Sequence, residues 1–148
     1  MKILVIHHFE TMWNDGYKLF GTSFDEVGEK IIAHIKRAKY DRVILTRFED
    51  ASFEDEHHYI GLSQYVSCVY EYAYGWESDM FEADEEGKTW VEGGYHSGAV
   101  YLPDFLWQLK DQDVRLCGAF DGECIEDMEI ALRAVGAKWK RLDKLIVG

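Results

Sequence analysis

Proline is nearly absent from the 148-residue chain: Pro103 stands alone, so no proline-rich linker divides it. Cysteine is scarce as well. Cys68, Cys117 and Cys124 are odd in number and widely spaced, which argues against a disulfide framework and fits a reducing, cytoplasmic setting. Cations are outnumbered, with 16 Lys and Arg against 28 Asp and Glu, giving a formal net charge of -12. Such a surface repels phosphates, so direct nucleic-acid binding is not expected; solubility is the plainer reading of the charge, and an acidic mimic of DNA the minority one. Long apolar runs are missing too. The opening MKILVIHHF holds four apolar residues before two histidines, too few for a signal peptide or a membrane span. The chain contains no G-x-G-x-x-G, no P-loop and no G-x-S-x-G elbow, so nucleotide binding or serine hydrolysis through those devices is not indicated.

What is present reads as one α/β domain spanning residues 1–148. Apolar residues make up 47% and aromatics 15%, enough for a globular core. Residues 3–6 are a continuous apolar run with β-branched members, as in a strand covered on both faces. Ser23 and Glu26 resemble a capping box, and Phe24, Val27, Ile31, Ile32 and Ile35 follow at helical spacing, predicting a helix over 23–39. Residues 42–46 (R-V-I-L-T) read as a second buried strand. Strand, helix and strand in this order imply a crossover and a parallel pair.

Further on, Leu62, Tyr65, Val66, Val69, Tyr70 and Ala73 suggest a helix over 60–74, with Cys68 on one of its faces. Residues 77–94 read as an acidic excursion, a hairpin or a lid. Residues 102–109 suggest a short helix, 114–120 a third strand, 124–135 a helix closed by Gly136, and 139–147 a last strand. The expected architecture is three-layer, a mainly parallel sheet of four to five strands with helices on both faces. Ligands of such sheets bind beyond the carboxyl ends of the strands, which selects the loops at 7–10, 47–58 and 120–124.

Each loop carries residues able to do chemistry. Cys124 opens a helix after the turn F-D-G-E-C, where amide dipoles favour a thiolate and backbone N–H groups can cradle an oxyanion. Asp121, Glu123, Glu126 and Asp127 oppose the thiolate. Position alone leaves Cys124 equally a nucleophile or a half-buried structural thiol. Cys117, inside an apolar strand, reads as core. His7 and His8 follow the first strand, and a histidine beside Cys124 could serve as general base; a hydrogen-bonded strand-end histidine is the plainer reading. Asp50 and His57 mix carboxylate and imidazole in one loop, which could hold zinc, although their spacing matches no strict motif and a solvated acidic loop explains them as well. Gly93, Gly94 and Gly98 around His96 could form a mobile cover, or an ordinary turn.

The stretch L-C-G-A-F-D-G-E-C-I-E-D-M-E-I-A-L-R-A-V-G, residues 116–136, resembles the isochorismatase-like (cysteine hydrolase) family: a strand, a turn, a nucleophilic Cys followed by Ile or Val, and a helix closed by Gly. The start I-L-V-I-H-H and V-I-L-T-R are similar to the family's first two strands, and Y-H-S-G-A-V to the segment just after its catalytic lysine. The resemblance implies an isochorismatase-like or Rossmann-like fold and places Cys124 on the nucleophile. The family's catalytic aspartate falls on His7, and its lysine near Gly93 or Gly94, so two of three catalytic positions differ. In metal-using members an Asp and a His follow the second strand; Asp50 and His57 are their loose counterparts.

Three functions follow as expectations, the third of them a metal-dependent hydrolase. One is hydrolysis of a small amide, imide or ester, with Cys124 as nucleophile, His7 as replacement base, and His8, Phe120, Asp121, Gly122 and His96 lining the substrate pocket without a cofactor. The second is a catalytically degenerate binding or interaction protein on the same scaffold, with the acidic segment 77–86 as a contact surface. Many aromatics on a small domain also favour a homodimer.

Overall fold

A computed structural model describes residues 1–9, 24–48, 60–72, 90–95 and 99–148 of the chain. Among these described residues five strands form one parallel sheet: β1 (Lys2–His7), β2 (Arg42–Phe48), β3 (Cys68–Tyr72), β6 (Asp113–Ala119) and β7 (Lys138–Val147), in the order β3-β2-β1-β6-β7. Between β3 and β6, the short strands β4 (Trp90–Glu92) and β5 (Ala99–Tyr101) make a separate antiparallel pair. Helix α1 (Phe24–Ala38) follows β1, α2 (Asp104–Trp107) precedes β6, and α3 (Cys124–Ala134) joins β6 to β7. The expected α/β architecture is present, with five strands in the main sheet.

Strand alternation divides the core in two. Ile3 and Val5 of β1 face Ile125, Met128 and Leu132 of α3 and Phe105 and Leu106 of α2. Leu4 and Ile6 face the opposite side, where Val27 and Ile31 of α1 and Leu62 pack. Because most of β1 and β6 is buried on both faces, their sequences read as largely apolar runs, interrupted in β6 by Arg115, instead of an alternating pattern. Helix α3 ends at Gly136, whose φ of +80° suits the left-handed turn expected of a C-cap glycine.

The helix expected over 60–74 is absent. A 3₁₀ turn, Ile60–Tyr65, gives way to β3. Ser67 starts the strand: its N–H donates to the Val43 carbonyl at 2.8 Å, and its hydroxyl accepts from the Val43 N–H at 3.0 Å. Cys68 and Tyr70, two residues apart, then share one face, and Arg42 donates to both. Cys68 is therefore a strand residue. Val and Tyr fit a pleated surface well, and an open edge of β2 was available to pair with them. Ser23, Asp50, His57, His96 and residues 77–89 lie outside the described residues. No helix among the described residues is long and apolar enough to cross a membrane.

Candidate functional site

From β1 the chain passes to β2 and β3 on one side, then returns to β6 and β7 on the other. The strand order therefore reverses between β1 and β6, the place where open parallel sheets form a crevice at their carboxyl ends. The two chain segments that leave β1 and β6 there carry the residues singled out above. His7 and His8 end β1, and Gly118 to Phe120 lead from β6 toward Cys124.

His7 continues the alternation of Ile3 and Val5, so its ring lies on the α3 side of the sheet, the side on which Cys124 packs. Its Nδ1 is 2.6 Å from the Thr46 hydroxyl, which itself donates to the Ile6 carbonyl at 3.4 Å. Which of Nδ1 and the hydroxyl donates to the other depends on the imidazole tautomer. Thr46 thereby fixes the orientation of the ring. His8 has left-handed backbone (φ +53°), and its ring stacks on His7 with centroids 3.9 Å apart. Both histidines are buried.

The backbones of β1 and β6 come unusually close beside His7. A Cβ on Gly118, where φ is +121°, would lie 2.6 Å from the His7 nitrogen and closer still to its carbonyl oxygen. Only glycine allows this approach. The Ala119–Phe120 peptide that follows is cis.

Cys124 is 6% exposed and packs with the α3-side core. Its surroundings are acidic. Asp127, one helical turn on, is fully buried and accepts a hydrogen bond from the Tyr95 N–H at 2.6 Å. Tyr95 is 54% exposed. The negative charge of Glu123 beside its phenol, and a hydrogen bond to that carboxylate, help raise its pKa, with Cys124 and Asp127 adding to the effect. One acidic patch thus joins the turn at Tyr95 to the first turn of α3. Gly94, at the position where the family resemblance would put a lysine, lies against Asp127, and a Cβ there would overlap the carboxylate.

The other expected pocket residues divide. Phe120 is buried in the α1-side core, opposite Cys124. Its carbonyl, however, accepts from the N–H groups of Glu123 (3.1 Å) and Ile125 (3.2 Å), so an oxyanion hole at this helix start would have to draw on other amides. Asp121 is engaged by Arg141 of β7 at 2.8 Å, and Gly122 is exposed. His96 is outside the described residues, as are Asp50 and His57. Among the described residues no three His, Cys, Asp or Glu side chains are grouped to hold a metal.

Thr46, Tyr95 and a buried Asp127 were not expected at the site. Asp127 had a visible signal: it falls on the apolar stripe of α3 with Cys124, Met128 and Ala131, where a solvated carboxylate does not belong. Tyr95 had none, because its place depends on how a distant turn packs. No family model matches the chain, and neither does any curated protein or solved structure.

Proposed function

We propose that the crevice between β1 and β6 is a small-molecule site of cysteine-hydrolase type, acting on a small amide, imide or ester. The observation that carries this reading is the pairing of His7 at the end of β1 with Gly118 of β6, the strand that leads to Cys124, at the reversal of strand order. His7 Nε2 takes the proton of the Cys124 thiol, and the sulfur attacks the substrate carbonyl carbon as the carbonyl electron pair moves to oxygen. Collapse re-forms the carbonyl and expels the amine or alcohol, which receives the proton from His7. Water then cleaves the thioester by the reverse proton route. Cys68, Cys117 and Cys124 form no disulfide, which suits a cytoplasmic setting.

Competitive iodoacetamide labelling tests the assignment. Cys124 should react before Cys117, whose complete burial pushes its thiol pKa far up, and Cys124→Ser should abolish turnover of any ester or amide the protein hydrolyses. A Cys124 that labels only after unfolding overturns the nucleophile.

A second reading, a non-catalytic binding protein, is favoured by the low exposure of Cys124 and by the two amides already committed to the Phe120 carbonyl. It expects biological effect to survive Cys124→Ala.

A further inference from the structure

A second feature lies on the α1 side of the sheet, opposite the side on which Cys124 packs. Lys30, His34 and Arg37 of α1 and Arg141, Asp143 and Lys144 of β7 line a cleft of about 560 Å³. Four permanent cations and one carboxylate line it, and Arg141 also reaches Asp121 and Glu129, in a chain whose net charge is -12.

The two walls are built differently. On α1, Lys30, Ala33, His34 and Arg37 recur at helical spacing, next to the stripe of Val27 and Ile31 that enters the core. On β7 the ladder slips: Arg141 pairs with Leu116 and Ile146 with Gly118, so five steps of β7 answer two of β6. The extra length, around Leu142 and Leu145, bows out to form the cleft's apolar part.

Arg141 is fully committed, donating to Asp121 at 2.8 Å, Glu129 at 2.7 Å and Asp143 at 2.6 Å. It braces the wall. Lys30, Arg37 and Lys144 have no such partner among the described residues. Partial burial, with the charges of Arg37 and Lys2, lowers the pKa of His34, as expected where the local potential is positive. Concave walls of one sign concentrate counter-ions, and cations left without carboxylates retain their donors for a ligand.

We propose that the cleft between α1 and β7 binds a small phosphate monoester, its phosphoryl group held by Lys30, Arg37 and Lys144 and its organic part resting on Leu142 and Leu145. The proposed phosphoryl ligands Lys30, Arg37 and Lys144 take no part in any chemistry at Cys124.

Calorimetric titration of the full chain with phenyl phosphate and with inorganic phosphate, at physiological salt, tests it. Phenyl phosphate should bind with a Kd of about 1 mM or tighter, severalfold more tightly than inorganic phosphate. The K30E/R37E double variant should lose at least about tenfold in affinity. Both side chains are exposed, so the fold should persist, as a thermal melt will register. Exposed Lys110, outside the cleft, serves as the control: K110E should bind as the parent does. Cys124→Ser should also leave binding unchanged, which separates this site from the crevice. Absence of binding to the parent chain, equal affinity in K30E/R37E, or equal affinity for the two probes would each overturn the proposal.

Discussion

Replacing Gly118 by alanine should be among the most damaging single-methyl changes available to this chain. The new Cβ would lie 2.6 Å from the His7 nitrogen and 2.8 Å from its carbonyl carbon, both backbone atoms of a central strand that cannot swing away. Two costs add. The backbone conformation, φ +121°, costs a non-glycine residue about 1–3 kcal/mol. Forcing strands apart in a packed sheet costs about 1–3 kcal/mol more. The total of about 2–6 kcal/mol is a large share of the roughly 5–15 kcal/mol that holds a domain together. It corresponds to a fall in Tm of about 10 °C for a chain of this size. Gly122 supplies the comparison. Its φ is also positive, +75°, yet a Cβ there meets no atom within 4 Å, so Gly122→Ala should cost only about 1–2 kcal/mol. Urea unfolding of both variants measures the difference directly, with equal m-values as the check that the transition is unchanged. Equal losses of stability in the two variants would refute the reasoning, because the strand–strand collision would then contribute nothing.

Removing the buried charge beside the cysteine should make the thiol more reactive: Asp127→Asn retains an acceptor for the Tyr95 N–H while relieving the repulsion that opposes a thiolate, and alkylation of Cys124 near neutral pH should speed up about tenfold. An unchanged or slower rate would mean that Asp127 does not act on the sulfur. His34 should titrate below 6.5 in the folded protein, a midpoint that NMR reads directly. Its folded pKa is depressed, so the unfolded chain binds the proton first on acidification; stability present above 6.5 falls as pH drops below that value, and His34→Gln should flatten that slope.

Where an element was buried on both faces or carried a clean helical stripe, its sequence revealed it. Residues 3–6, 42–46 and 114–120 became β1, β2 and β6, and the stripes led by Val27 and by Ile125 became α1 and α3. The segment over 60–74 misled because Tyr65, Val66, Val69 and Tyr70 satisfy a helical spacing and a strand composition together. The open side of β2, a tertiary fact, decided between them. The site divided in the same way. Cys124 and His7 could be placed because each adjoins a strand end. Asp121 could not, since its engagement by Arg141 depends on β7 lying alongside, and Thr46 acquires its role only once β2 pairs with β1.

The bowed middle of β7 has a consequence beyond the cleft it shapes. β7 is the border strand of the sheet, and a straight border strand offers a row of unpaired amides and carbonyls onto which another chain can add its own strand. The slip between Arg141 and Ile146 interrupts that row, and Lys138, Lys140, Arg141, Asp143 and Lys144 crowd it with charge. A neighbouring molecule seeking to extend the sheet there would meet a broken register and bury those charges to do so. The irregularity guards the fold's open margin against runaway strand addition.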